Sequence, residues 1–298
     1  MERTILFSVV IPTYNRAAFV LKTIQTFLQQ TYTNFELIVV DDGSKDNTEE
    51  MVKAIVDPRF KYYKKENGER GAARNYGLSL AQGTYVNFFD SDDTAYTNHL
   101  AVAADVIKMK QLPEIFNLAY DIKAPDGKLL SVHNHYDGNV EAYAVKTKRV
   151  SINALFVKTE VARAVKFSEN RLLSASEDAL FLCQLCARHL LHYDNTITST
   201  IIEHDSRSMV IATEEQLKNR QQLMIEGLKA DLIFMKKYGH TVSAIDREFN
   251  YLLCLSSLSN KENKKAADYF INYLSGQPSN LFSQRTLVFL KKYVGNLL

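Results

Sequence analysis

Cysteine is scarce in this sequence, long apolar runs are missing, and neither sign of charge prevails. Cys183, Cys186 and Cys254 are the three cysteines of 298 residues, too few for a disulfide scaffold and in keeping with a reducing compartment. No stretch approaches ~18 uninterrupted apolar residues, so no transmembrane helix is expected. Lys and Arg number 36 against 34 Asp and Glu. With a net charge of +2, a pI near 8.2 and no face-wide stripe of Lys or Arg, nucleic acid is not an expected partner. The run Ile5–Ile11 is short, follows Glu2 and stops at Pro12 without a small-residue cleavage site, so it reads as a buried strand rather than a signal segment. Internal repeats and low-complexity segments are also lacking. What remains is ordinary for a soluble globular chain, 46% hydrophobic and 23% charged, long enough for one large α/β domain and an appendage.

The first 120 or so residues alternate between two hydrophobic periods, as βαβ units do. Phe7–Ile11, Phe35–Val40, Lys61–Lys64 and Thr84–Phe89 read as strands, the first a continuous apolar run suited to burial on both faces. Between them, Val20, Leu21, Ile24, Phe27 and Leu28 recur at helical spacing. Asp46 with Glu49 predicts a helix start with a capping box, Arg70–Ala81 a short helix, and residues 97–111 another before Pro113. Right-handed crossovers would assemble the strands into a doubly wound, mostly parallel sheet. Beyond residue 115 the pattern is less regular. Ile115–Tyr120 and Leu129–Val132 read as strands around a Pro125-Asp126-Gly127 turn, residues 179–190 as a helix and Thr196–Ile202 as a strand. From Thr213 onward the chain reads as helical, with few breakers before Gly276 and Pro278.

Ligands of open α/β sheets bind beyond the carboxyl ends of the strands, and each of the first four strands runs into a polar cluster there. These are Pro12-Thr13-Tyr14-Asn15-Arg16, Asp41-Asp42-Gly43-Ser44, the segment from Glu66 to Asn75, and Asp90-Ser91-Asp92-Asp93. In an extended segment residues i and i+2 share a side, so Asp90 and Asp92 can enter one pocket. Carboxylates of this kind suit Mg²⁺ or Mn²⁺, which take oxygen ligands together with substrate phosphates. Capping of a helix starting near Thr97 would account for one Asp, not three.

Together these clusters closely resemble the inverting glycosyltransferases of family 2. The matching motifs are PTYNR at 12–16, DDGSKDNT at 41–48, ENGERGAARNYG at 66–77, DSDD at 90–93 and Ser176-Glu177-Asp178. The resemblance covers residues 7–210. It implies a GT-A fold over 1–210, with a nucleotide-sugar-binding half (1–118) and an acceptor half (119–210), followed by a helical extension over 211–298. It implies an enzyme that moves a hexosyl or N-acetylhexosaminyl group from a nucleoside-diphosphate sugar, a UDP-sugar above all, to the hydroxyl of a glycan or glycolipid acceptor. Bacterial surface polysaccharide or lipid-linked oligosaccharide synthesis is the family's setting, at the cytoplasmic side.

The resemblance also implies roles. Pro12, Thr13, Tyr14 and Arg16 would frame the nucleoside, and Asp41 or Asp42 would accept from a base N–H. Arg74 would lie near the diphosphate, with Gly71, Ala72 and Ala73 allowing close approach, and Ser91 would join the donor contacts. Asp90, Asp92 and Asp93 would hold the cation, with His204 of Glu203-His204-Asp205-Ser206-Arg207 reaching metal or diphosphate. Asp178 would be the base. Glu177, three residues after Ser174, is spaced to serve a capping box instead.

Cys183-x-x-Cys186 with His189 and His192 invites a zinc site, but on one helix four such positions span half the circumference and cannot converge on one ion. After residue 212 there are 12 Lys or Arg against 8 Asp or Glu. There Arg285–Leu298 reads either as an amphipathic helix touching anionic lipid or as one packed on its own domain. Two other functions fit the sheet. A sugar-phosphate nucleotidyltransferase would want a Gly-rich loop after the first strand, where Pro12-Thr13-Tyr14 stands. A non-catalytic nucleotide-sugar-binding protein would be expected to lack a carboxylate site. The sugar and the acceptor, for which segment 121–175 and the C-terminal helices are the expected contacts, are not legible.

Overall fold

The computed structural model describes residues 4–134, 150–204, 212–275 and 278–296, and divides into two compact units, Met1–Asp205 and Ser206–Leu298. Thus Asp205, Ser206, Arg207, Gly276 and part of the 121–175 acceptor segment lie outside the described residues.

The first unit is built on one nine-stranded sheet. Strands β1 (Phe7–Thr13), β2 (Phe35–Asp41), β3 (Phe60–Lys64) and β4 (Tyr85–Phe88) pair in parallel in the order β3-β2-β1-β4. Both faces of β1 and β2 are covered, which is why their sequences are unbroken apolar runs. Odd-numbered Phe7, Val9 and Ile11 join Val20, Ile24 and Phe27 of helix α1 (Ala17–Leu28) and Leu100, Ala103 and Ile107 of helix α4 (His99–Met109) in one core. On the opposite face Gly77 of helix α3 (Glu69–Leu80) sits so close to Val10 that a Cβ would lie 2.4 Å from its methyl. Helices thus flank both faces, and the α/β, doubly wound expectation holds.

Beyond β4 the sheet is mixed. Strands β6 (Ile115–Lys123), β8 (Leu155–Lys158) and β9 (Leu191–Ile202) continue it in the order β4-β8-β6-β9. Short β5 (Thr94–Ala95) closes that edge on β9, and β7 (Leu129–His133) hangs from β6. Helix α5 (Thr159–Val165) follows β8, and α6 (Glu177–Arg188) precedes β9.

Two expected starts differ. Helix α2 spans Thr48–Lys53. Asp46 stands outside it, accepting from the Thr48 amide and hydroxyl, while Glu49 pairs with Lys53 and Lys64 rather than with a cap. Helix α6 begins at Glu177 with Ser176 as its N-cap and no side-chain cap bond. Ser174 turns away to donate to Glu69 at 3.0 Å, so the Ser174–Glu177 capping box is not made.

The second unit is helical, comprising α7 (Glu214–Ala230), α8 (Leu232–Tyr238), α9 (Val242–Ser259), α10 (Asn263–Leu274) and α11 (Gln284–Gly295). A true capping box, Thr213 with Gln216, opens α7. Tyr251, Cys254, Leu258, Ala266, Phe270, Tyr273 and Phe289 form its own aromatic-rich cluster. No helix among the described residues is long and apolar enough to cross a membrane.

Candidate functional site

The carboxyl ends of β1 and β2 are stitched together by their turns. The Asn15 amide donates to Ser44 Oγ at 2.8 Å, the Lys45 amide to Asn15 Oδ1 at 2.8 Å, and the Asp42 amide to the Thr13 carbonyl. Pro12 and Thr13 are the last residues of β1, while Tyr14 is exposed. Thr13 Oγ1 is buried without a hydrogen-bond partner among the described residues.

Asp41 and Asp42, alternatives in the sequence, differ here. Asp41 is fully buried, accepting from Tyr62 Oη at 2.6 Å and the Ser44 amide at 2.7 Å; Tyr62's own burial, then the hydrogen bond to Asp41 and the Asp41 charge, push the Tyr62 hydroxyl pKa upward. Asp42 is gripped from the β3–α3 segment by Lys65 Nζ at 2.8 Å, the Gly68 amide at 2.9 Å and Asn67 Nδ2 at 3.0 Å.

The loop after β4 brings three carboxylates together. Ligand oxygens of Asp90, Asp92 and Asp93 lie within 4.8 Å of one another. Thr23 Oγ1 of α1 holds the loop by donating to the carbonyls of Ser91 and Asp93. Asp93 is buried and anchored by Asn153 Nδ2 at 2.6 Å and the Ile202 amide at 2.8 Å. Asn153 also receives the Asp90 amide, so one side chain fixes both ends of the cluster. Asp92 meets Arg16 and, at 3.2 Å, His204 Nε2, whose ring stacks on Phe19 at 5.1 Å. His204 therefore stands at the acidic cluster.

An all-oxygen donor set is the chemistry a hard divalent cation takes, and three carboxylates in that compass fit one. Asp90 and Asp92 are the more accessible pair; Asp93 already serves Asn153 and the β9 backbone. The Cys183/Cys186 zinc reading finds no support, since both cysteines are buried and His189 pairs with Glu114 at 2.8 Å.

Arg74, rather than lying at the surface, is 1% exposed and joins two parts of the site. One end of its guanidinium donates to Asp90 at 2.7 Å, the other to Glu177 at 2.6 Å, and its flat face lies 5.3 Å from the Phe167 ring centre. Burial would lower its pKa, but the charges of Asp90, Glu177 and Asp178 outweigh burial and raise it. Arg74 Nε and Glu177 Oε2 are buried and unpartnered among the described residues. Asp178, partly exposed beside them, has its pKa raised by burial and by the charges of Glu177 and Asp90, against the pull of Arg74. Gly71 makes room for the protein's own backbone: a Cβ there would lie 2.0 Å from the Ser168 carbonyl oxygen. Its small size thus serves the 166–169 segment, not a ligand.

Sequence reasoning missed Asn153, Lys65, Phe19 and the ion-pair role of Glu177. Most of these come from segments far along the chain from the groups they touch, and no spacing signals such a meeting.

The sheet, with carboxylates and basic groups gathered beyond its parallel strands, is of GT-A type. The same fold is found at 21% identity and a TM-score of 0.62 in Staphylococcus aureus TarS 1–349 in complex with UDP-GlcNAc, covering 90% of this chain and 89% of that one. It recurs at 17% identity and a TM-score of 0.59 in the Pyrobaculum calidifontis mannosyltransferase PcManGT in complex with GDP-Man and Mn²⁺, covering 98% and 86%. Residues 8–111 match the profile of glycosyl transferase family 2. Among curated relatives, an uncharacterized glycosyltransferase of Rickettsia bellii is 31% identical over 188 residues, 62% of this chain and 27% of that protein. The chain spans less than a third of the length of the first curated relatives it matches.

Proposed function

We propose that this chain transfers a hexosyl or N-acetylhexosaminyl group from a UDP-sugar to an acceptor hydroxyl, with inversion at the anomeric carbon. The observation that carries the reading is Arg74, which ties Asp90 of the carboxylate cluster to Glu177, the residue next to Asp178. Donor-side and acceptor-side groups are thereby held in one rigid frame. The UDP-GlcNAc complex of TarS supports a uridine donor. The acidic triad supports divalent-metal dependence, as does the Mn²⁺ complex of the mannosyltransferase.

In this reading Asp178 takes the proton of the acceptor hydroxyl as its oxygen bonds to the anomeric carbon. The bond from that carbon to the diphosphate oxygen breaks on the opposite side, and the nucleoside diphosphate leaves with the electron pair. Asp90, Asp92 and Asp93 would hold Mn²⁺ or Mg²⁺, which supplies positive charge to the departing diphosphate. Arg16, Arg74 and His204 surround those carboxylates with further positive or hydrogen-bonding groups. Asp42, the less buried member of its pair, reads the base, and Thr13, Tyr14 and Ser91 complete the donor contacts. The acceptor belongs to surface polysaccharide or lipid-linked oligosaccharide synthesis on the cytoplasmic side.

Asp178→Asn is expected to keep UDP affinity, read by calorimetry with Mn²⁺, while single-turnover transfer falls by ~10²–10⁴-fold. UDP binding should weaken in EDTA. An active Asp178→Asn enzyme would remove the base from this residue; UDP affinity indifferent to EDTA would remove the metal role.

A further inference from the structure

Helix α11 has two apolar faces and uses one of them internally. Thr286, Phe289 and Tyr293 face inward, with Phe289 stacked on Phe270 of α10 at 3.9 Å and 7°. The helix is pinned at both ends. Arg285 pairs with Glu248 of α9 at 2.7 Å, and Asn296 donates to the Leu258 carbonyl at 2.7 Å and to Asn263 at 3.2 Å. Its outer side is therefore held in place, and it is apolar. Leu287, Leu290 and Val294 recur at i, i+3 and i+7 and stay exposed, with Val288 beside them. Phe282, in the turn before the helix, is 91% exposed. A surface helix of a self-contained bundle normally turns polar residues outward, so this side calls for an occupant.

The charge pattern selects among occupants. From residue 269 to residue 298 the sequence contains no Asp or Glu, while Lys291 and Lys292 stand exposed within and beside the apolar stripe. Among the described residues neither lysine has a carboxylate partner, unlike Arg285. A two-fold interface with a second copy would set these lysines against their own counterparts with no acid on the helix to answer them. A leucine stripe on a convex helix with lysines alongside, able to extend their stems over apolar surface, matches an interfacial helix lying on an anionic bilayer.

We propose that the outer face of α11, with Phe282, seats this protein on membrane surfaces bearing anionic phospholipid. The proposal stands apart from the donor chemistry, because its assay involves no sugar transfer. The 298-residue chain is sedimented with vesicles of phosphatidylcholine alone or mixed about two to one with phosphatidylglycerol, at low and high salt. It is expected to pellet with the mixed vesicles, to stay in solution with the neutral ones, and to be released by salt. The Lys291→Gln/Lys292→Gln double variant should lose roughly 30-fold in partition, about fivefold for each lysine near such a surface. Leu287→Gln/Leu290→Gln should lose binding too, with circular dichroism unchanged because all four side chains are exposed. Absence of pelleting with the mixed vesicles overturns the proposal, as does pelleting that neither double variant weakens. A chain that self-associates through Leu287 and Leu290 by light scattering, without binding vesicles, overturns it in favour of an interface between copies.

Discussion

Glu177 and Arg74 meet across 103 positions of sequence, and both are almost without solvent contact. Removing one partner of such a pair leaves the other buried and unanswered, which costs about 3–5 kcal/mol. Glu177→Ala is therefore expected to lower unfolding stability by that order in urea titrations. Glu177→Gln keeps an acceptor oxygen for the guanidinium and should cost less. A helix-cap role, the reading its spacing from Ser174 suggests, would limit either change to about 1 kcal/mol. Equal, small losses for both variants would restore that simpler role. The local pattern misleads here for a physical reason. Ala175 adopts a positive φ of 69° between Ser174 and the helix, and Glu69 takes the Ser174 hydroxyl. A tertiary partner has displaced the local one.

Elements were more legible than their contacts. β1 and β2 declare themselves because burial on both faces demands continuous apolar runs, and the Asp-rich loop after β4 stands out because polar residues there interrupt no core. Asn153 gives no such signal. It follows a segment without clear periodicity, yet it sets the geometry of Asp90 and Asp93. The same holds for α3, whose Gly71 looks in sequence like a concession to a ligand and in space is a concession to the Ser168 carbonyl. Gly71→Ala must push that segment away. We expect a loss of about 1–3 kcal/mol, the usual range for overpacking, seen as a lower urea midpoint. Faster amide exchange over 166–171 than in the parent should accompany it. An unchanged midpoint and exchange pattern would mean that the close approach is not rigid.

At the scale of the sheet as a whole, His99 links folding to acidity. It is fully buried among Phe27, Phe89 and Phe156, with Thr198 Oγ1 at 2.9 Å. Burial drives its pKa down to about 3. The folded state thus binds this proton less readily than the unfolded chain, so stability is full above the ordinary histidine value near 6.5 and declines as pH falls toward 3. By pH 5 the loss from this residue should reach about 2 kcal/mol. Urea titrations at a series of pH values would measure it, and in His99→Gln the slope between pH 7 and 5 should flatten whatever the variant's absolute stability. A slope unchanged by that substitution would assign the acid sensitivity to other groups.

The order of strands in the sheet has a consequence for synthesis. The outer edge of β4 is completed by β8, which is not made until residue 158 has left the ribosome, and β5 has no neighbour until β9 follows near residue 200. Translation adds residues at roughly 5–20 per second, so for some seconds a nascent β1–β4 platform carries an open, aromatic-lined edge of the kind that recruits stray strands. For this chain the vulnerable moment falls in mid-translation, and the segment from 89 to 155 is where a ribosomal pause would prolong it.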